Sequence, residues 1–117
     1  MPVTSREYAL VVRALLSEPP NDYEGVARLA AGYRLLHPIE QPRMAQGVAL
    51  VIGESVAPGV LADAIHLAYH LELFDLETRW AVEAQRAYGI EDPAVLREID
   101  NYLAYLSNPV VHSSRIG

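Results

Sequence analysis

Prolines divide this chain into short segments, and most of them stand where a helix would begin or end. A proline has no amide hydrogen and clashes with the preceding turn, so it suits only the first turn of a helix. The residue before a proline also avoids helical angles. The chain has 117 residues, of which eight are proline, and the segments between them are rich in alanine and leucine, which favour helix. The sequence therefore predicts several short helices joined by loops.

The first two segments carry helix signals at their ends. Thr4 and Glu7 have the spacing of a capping box, and apolar residues then recur every three or four positions until a pair of prolines ends the segment. Asn21 or Asp22 is expected to cap the second helix, which ends at His37 because a proline follows.

The second and third segments contain glycines that weaken their helix signal. Gly25 and Gly32 each cost up to about 1 kcal/mol relative to alanine, and we expect them to permit close contact with another helix. The third segment begins near Pro42 and has an apolar run from Gly47 to Gly53 without a clear period. This run fits a buried helix or a short buried strand. A helix is favoured because a lone strand would have no other strand to pair with.

The longest uninterrupted segment runs from Val60 to Tyr88 and contains neither glycine nor proline. Gly89, which an apolar residue follows, is typical of a left-handed helix end. The segment predicts either one long helix or two helices, the second capped by Asp75 with a bend near Phe74. Periodicity alone does not choose between the two.

The last predicted helix has the clearest boundaries. Asp92 is its cap, Pro93 takes the first helical position and Asn108 ends it before another proline. The sequence as a whole predicts an all-α fold, a compact bundle of five or six helices in which the fourth is long or bent. Residues 1–108 are expected to form a single helical domain and residues 109–117 a loosely ordered C-terminal tail.

The composition excludes several kinds of site. There is no cysteine and every basic residue is arginine, so disulfides, cysteine-bound metals, thiol chemistry and phosphate-binding lysines are ruled out. A formal charge of −6 argues against binding to nucleic acid or anionic membranes. The N-terminus does not have the pattern of a signal peptide, and no apolar run approaches the roughly 20 residues that span a bilayer. We expect a cytoplasmic protein with no membrane partner.

The best candidate site in the sequence consists of Asp63, His66, His70 and Glu77. On a continuous helix, at about 100° per residue, these four side chains lie within about 60° of one another beside the apolar stripe. Two imidazoles one turn apart, with a carboxylate nearby, can chelate a divalent cation. Leu67 stands where a zinc protease would carry its glutamate, which excludes that type of site. The alternative is a solvated face with two polar pairs, Asp63 with His66 and His70 with Glu77.

A second pattern places one large aromatic side chain in a row of smaller ones. The row consists of Leu73, Leu76, Trp80, Ala84 and Ala87, at spacings of three and four residues. Small residues beside a large aromatic allow a second helix to approach closely. The row fits the internal core of one chain or the interface of a homodimer.

No pattern meets the requirements of a catalytic arrangement. The sequence around Ser55 lacks the second glycine of a nucleophile elbow, and the glycines nearby fit neither a dinucleotide-binding fingerprint nor a phosphate-binding loop. We therefore predict a non-catalytic helical module for protein interaction or regulation, which acts as a homodimer, binds another protein and carries no cofactor. The alternative is a metal-binding protein, or a small metal-dependent enzyme, that uses Asp63, His66 and His70 with a divalent metal ion.

Overall fold

The computed structural model describes residues 3–18, 23–54 and 56–107, and this part of the chain forms six helices. They are α1 (Ser5–Ser17), α2 (Glu24–Leu35), α3 (Gln41–Gly53), α4 (Pro58–His70), α5 (Leu76–Ala87) and α6 (Pro93–Ser107). The all-α prediction is confirmed, and the third segment is the helix that was favoured over a strand. The described residues form six helices, the larger of the two expected numbers, because residues 60–88 form two helices, α4 and α5; the expected long or bent fourth helix is not confirmed. The predicted cap at residue 21 or 22, the serine at 55 and the tail at 109–117 lie outside the described residues.

Side-chain caps fix the start of three helices. The hydroxyl of Thr4 accepts a hydrogen bond from the amide of Glu7 at 3.2 Å, and the carboxylate of Glu7 accepts from the amide of Thr4 at 3.1 Å, which is the predicted capping box. Asp75 accepts from the amide of Thr78 at 3.2 Å and from its hydroxyl at 2.8 Å. Asp92 accepts from two amides in the first turn of α6. Each cap satisfies amide groups that have no partner inside the helix.

The break between α4 and α5 is a helix end of a standard kind. The amide of Leu73 donates to the carbonyl of Ala68 at 2.9 Å, and the amide of Glu72 donates to the carbonyl of Tyr69 at 3.2 Å. This pattern requires a left-handed residue after the helix, and Glu72 takes it with a φ of 61°. Gly89 ends α5 in the same way with a φ of 81°, as predicted. The chain therefore turns between the two helices although no glycine stands at the first turn.

The fourth helix lies at the centre of the bundle. It packs against α1, α2, α3 and α6, while α1 packs mainly against α3 and α3 also packs against α5. Tyr102 of α6 is completely buried, and its hydroxyl donates to the carbonyl of Leu73 at 2.7 Å, so the buried polar group has a partner. No helix in the described ranges has both the length and the apolar character that a membrane crossing demands.

Glycines allow two of these helix contacts. A Cβ atom at Gly47 would lie 2.8 Å from the Cβ of Tyr8 and 2.9 Å from the amide nitrogen of Ala9, so α1 and α3 touch where Gly47 has no side chain. A Cβ at Gly25 would lie 2.9 Å from a carbonyl oxygen at the end of α1. The expectation of close contact is confirmed at Gly25 and is wrong at Gly32, where an added Cβ would meet nothing within 4 Å.

Candidate functional site

A buried carboxylate connects α4 to α6. Glu98 is 4% exposed, and Oε2 of its side chain lies 2.8 Å from Nδ1 of His66. Its Oε1 accepts from Nδ2 of Asn101 at 3.1 Å and from the hydroxyl of Tyr69 at 3.4 Å. Three donors therefore surround one charged group in the interior, which is the condition under which a buried carboxylate is stable. We call Glu98, His66, Tyr69 and Asn101 the polar cluster.

The ionisation of Glu98 determines which groups of the polar cluster act as donors. Burial alone would raise the pKa of Glu98, but the hydrogen bond from His66, the charge of that imidazole and the hydrogen bond from Asn101 outweigh it and lower the pKa. Burial and the negative charge of Glu98 raise the pKa of Tyr69 to about 12, so its hydroxyl keeps its proton. An ionised Glu98 needs a donor on the nearer nitrogen of His66. Nδ1 of His66 therefore carries a proton, and the hydroxyl oxygen of Tyr69, which lies 2.8 Å from the same nitrogen, can accept from it as well.

Aromatic rings hold His66 in position. The ring of Tyr23 lies 4.8 Å from the imidazole, the ring of Tyr69 lies 5.0 Å from it at 70°, and His70 stacks nearly parallel at 6.2 Å. Tyr69 in turn stacks on Tyr105 at 5.0 Å. Tyr23 has a φ of 68°, a left-handed conformation that is unfavourable for a residue with a side chain. The packing of its ring on His66 offsets part of that cost.

Asp63 stands one turn before His66 on α4. Burial raises the pKa of its carboxyl group, the positive charge of His66 opposes the shift, and the negative charge of Glu98 adds to it. Asp63 and Glu98 thus have pKa values displaced in opposite directions, and the charge of the same imidazole contributes to both. Such displaced carboxyl groups are found at functional sites and also in structural networks.

The chemistry open to this arrangement follows from the carboxylate on Nδ1. A carboxylate that accepts from one nitrogen of a histidine orients the ring and makes the other nitrogen a better base or metal ligand. His66 is 27% exposed at its side chain, so its ring is partly accessible to solvent. A proton, a hydrogen-bond donor or a metal ion are therefore the groups that Nε2 can bind.

The structure brings together only part of the predicted metal site. Asp63, His66 and His70 lie on α4, but Glu77 belongs to α5, where its Oε1 accepts from Gln46 at 3.4 Å. The prediction placed Glu77 on the same stripe as the histidines because it assumed one continuous helix. The turn at residues 71–75 interrupts that helix, so Glu77 no longer shares the stripe. Within residues 3–18, 23–54 and 56–107, no group of three His, Asp or Glu side chains is arranged to hold a metal ion. The metal site stays a prediction.

The row of residues predicted as an interface lies mostly at the surface. Trp80 is 62% exposed and Leu76 is 52% exposed, while Ala87 is exposed and Ala84 is half-buried. Leu73 is the exception, because it belongs to the core in the turn before α5. The opposite side of α5 carries its buried residues, Thr78, Val82 and Gln85. We call the outward surface formed by Leu76, Trp80, Ala84, Ala87 and Tyr88 the α5 face.

Arg79 borders the α5 face and has no acidic partner in the described part of the chain. The ion pairs of that part involve five other arginines, and none forms between Arg79 and Glu83, although the four-residue spacing suits one. The Nε of Arg79 is a buried nitrogen with no hydrogen-bond partner. A buried donor without a partner costs about 1–3 kcal/mol, so the environment of Arg79 is unfavourable in the isolated chain.

Two features of the site were missed by sequence reasoning. Glu98 occupies a position on the apolar stripe of α6, between Val95 and Tyr102, and an acidic residue on an inward face is a signal of a buried polar contact. Tyr69 is the other residue, and its position within α4 carries no sequence signal of a polar contact. The signal for its role exists only in three dimensions, because its partner Glu98 lies 29 residues away along the chain.

Comparison of the chain with protein-family models, with curated proteins and with solved structures finds no match.

Proposed function

We propose that this protein is a non-catalytic interaction module that acts as a homodimer, and that the α5 face is its interface. The observation that carries the proposal is the exposure of Trp80, which is the only tryptophan of the chain and is 62% exposed at the centre of an apolar row. Tryptophan is among the residues that contribute most to protein interfaces, since burying its large ring removes much apolar surface from water.

The arrangement of the α5 face supports a protein partner. Leu76 and Tyr88 extend the apolar surface to either side of Trp80, and charged side chains border it, as at the rim of an interface. A contiguous apolar patch with a polar rim marks an interaction site more often than single exposed apolar residues do. A second copy is the partner we propose, because the large ring and the small alanines of one face complement those of another.

The size of the α5 face sets the expected affinity. The helix has 12 residues and is about 18 Å long at about 1.5 Å per residue. Stable dimers bury about 800 Å² on each partner, which is more than one short helix supplies alone. We therefore expect a reversible dimer with a dissociation constant on the order of 10 µM.

The first test is the mass of the protein in solution. Sedimentation velocity at tens of micromolar is expected to give a dimer for the unmodified chain and a monomer for Trp80→Ala, whose side chain makes no contribution to the core. Leu35→Ala is the matched control, because Leu35 is 87% exposed on α2 and its loss is expected to leave the dimer intact. A monomeric unmodified chain, or a dimer that Trp80→Ala leaves unchanged, would contradict the proposal.

A second candidate function is a divalent-metal site on α4, and the contact between Glu98 and Nδ1 of His66 favours it. That contact leaves Nε2 free to bind a metal, with His70 one turn away and Asp63 joining by rotation of its side chain.

Calorimetric titration of tag-free protein with Zn²⁺ tests the metal candidate. Binding is expected to raise the midpoint of thermal unfolding, because a ligand of the folded state stabilises it. His66→Ala is expected to abolish the rise, whereas His37→Ala, in the loop before α3, is expected to leave it unchanged. No heat of binding at about 100 times the protein concentration would eliminate this candidate.

A further inference from the structure

The orientation of the second copy follows from the pattern of large, small and charged side chains along α5. This inference rests on the proposed homodimer and adds its geometry. We propose that the two α5 helices pack antiparallel, so that each Trp80 lies on the partner's Ala84 and each Arg79 faces the partner's Glu83.

The apolar residues favour an antiparallel pair. If Trp80 lies opposite the partner's Ala84, the twofold axis passes near the level of residue 82, and Leu76 then lies opposite the partner's Tyr88. The largest ring thus meets a methyl group in both halves of the interface. In a parallel pair the two Trp80 rings would meet each other and the two Ala84 residues would leave a gap between the helices. That gap reduces the area over which the helices are in contact.

The charges support the same register. Arg79 and Glu83 lie on one side of Trp80, one turn apart, and in an antiparallel pair this side of one helix borders the same side of the other. Glu83 of one copy then lies about 3 Å along the axis from Arg79 of the other, two residues at about 1.5 Å each. The two Glu83 residues are separated by the same distance along the axis, so the register forms a cluster of two arginines and two glutamates with no net charge. The pairing gives the guanidinium group of Arg79 a carboxylate partner, which no ion pair in the described part of the single chain provides. A partially enclosed Arg–carboxylate pair is stronger than a fully exposed one.

The opposite side of the seam has no such pair. Glu77 lies there, exposed, and the register places it beside the partner's Tyr88 and Ala87, which carry no charge. Glu77 is thus a natural control position on the same helix, with the same charge as Glu83 and a different neighbour in the dimer.

A charge-reversal series tests the register. Sedimentation equilibrium is expected to show the dissociation constant raised about tenfold or more by Arg79→Glu and by Glu83→Arg, since each places like charges together. The double variant is expected to return within about threefold of the unmodified chain, because the pair is restored with its charges exchanged. Glu77→Arg is expected to change the constant less than about threefold. Glu83 is exposed, so Glu83→Arg tests the idea even if Arg79→Glu unfolds the chain.

Cysteine variants test the direction of the helices, since the chain contains no cysteine of its own. In the antiparallel register the two copies of residue 87 lie about 15 Å apart along the axis, beyond the roughly 7 Å between Cα atoms that a disulfide spans. Ala87→Cys is therefore expected to stay unlinked on oxidation, whereas a parallel pair would be linked.

The outcomes separate this inference from the proposed function. A monomeric unmodified chain overturns both. A dimer that Trp80→Ala dissociates, but in which the double charge reversal gives no recovery or Ala87→Cys forms a disulfide, overturns the antiparallel register and leaves the homodimer standing.

Discussion

Replacing Gly47 with alanine is expected to lower the free energy of unfolding by about 2–3 kcal/mol, the upper part of the range of about 1–3 kcal/mol that overpacking costs in well-packed interiors. The added Cβ would lie 2.8 Å from the Cβ of Tyr8, 2.9 Å from the amide nitrogen of Ala9 and 3.0 Å from the carbonyl oxygen of Ser5. Two of these three atoms belong to the backbone, so no side-chain rotation relieves the contact. Helices α1 and α3 must move apart instead.

Gly32 provides the matched control for this substitution. It also lies inside a helix, but an added Cβ would meet nothing within 4 Å. Gly32→Ala is therefore expected to stabilise the protein by about 0.5–1 kcal/mol, because alanine loses less conformational freedom on folding. Urea unfolding of both variants measures the two effects. A Gly47→Ala variant as stable as the Gly32→Ala variant would show that α1 and α3 do not touch as described.

Replacing His66 with leucine is expected to destabilise the protein by about 2 kcal/mol at pH 7, the scale of a lost hydrogen bond to a charged group. The remaining donors to Glu98, from Asn101 and Tyr69, do not offset its burial, so its pKa is expected to rise above the ordinary value. The ionised carboxylate then opposes folding at neutral pH. In the unmodified chain the ionised carboxylate of Glu98 favours folding, because the folded state lowers its pKa. That contribution is present at neutral pH and is lost as the pH falls through the carboxylate range.

The pH profile separates this account from a simple loss of packing. The difference in stability between the unmodified chain and His66→Leu is expected to be largest near pH 7 and to shrink as the pH falls from the raised pKa of Glu98 in the variant to its lowered pKa in the unmodified chain, on either side of the ordinary value of 4.5. Glu98→Gln is expected to destabilise the unmodified chain but to stabilise the His66→Leu variant, since it removes a charge that has lost its partner. Chemical denaturation at pH 7 and pH 4 measures both. A constant difference across this range, with no rescue by Glu98→Gln, would contradict the arrangement of the polar cluster.

The helices were largely predictable because their signals are local. A capping box at Thr4, the cap at Asp92 and the glycine at position 89 each act within one turn, and all three take their predicted roles. The end of α4 was not fixed by sequence, because the left-handed position there is occupied by Glu72 rather than by glycine. What makes the turn stable is the tertiary contact of Leu73, whose carbonyl accepts from the buried hydroxyl of Tyr102.

The candidate site was predictable only in part. His66 could be selected as a reactive group on α4, but its partner Glu98 lies 32 residues further along the chain and is brought to it by the packing of α6. Glu77 was placed beside the histidines by assuming a continuous helix, and a single turn moved it to another surface. Trp80 fitted both a core and an interface at the sequence level. Its 62% exposure favours the interface, because a core residue of that size would be covered.

The fluorescence of Trp80 tests the homodimer most directly, since it is the only tryptophan and lies at the centre of the α5 face. The emission spectrum should be recorded from about 0.1 µM to about 100 µM protein, a range that brackets a dissociation constant on the order of 10 µM. The homodimer predicts that the emission maximum moves to shorter wavelength as the concentration rises, because the partner removes water from the indole ring. An emission maximum that stays at the value of a solvent-exposed tryptophan over the whole range would contradict it.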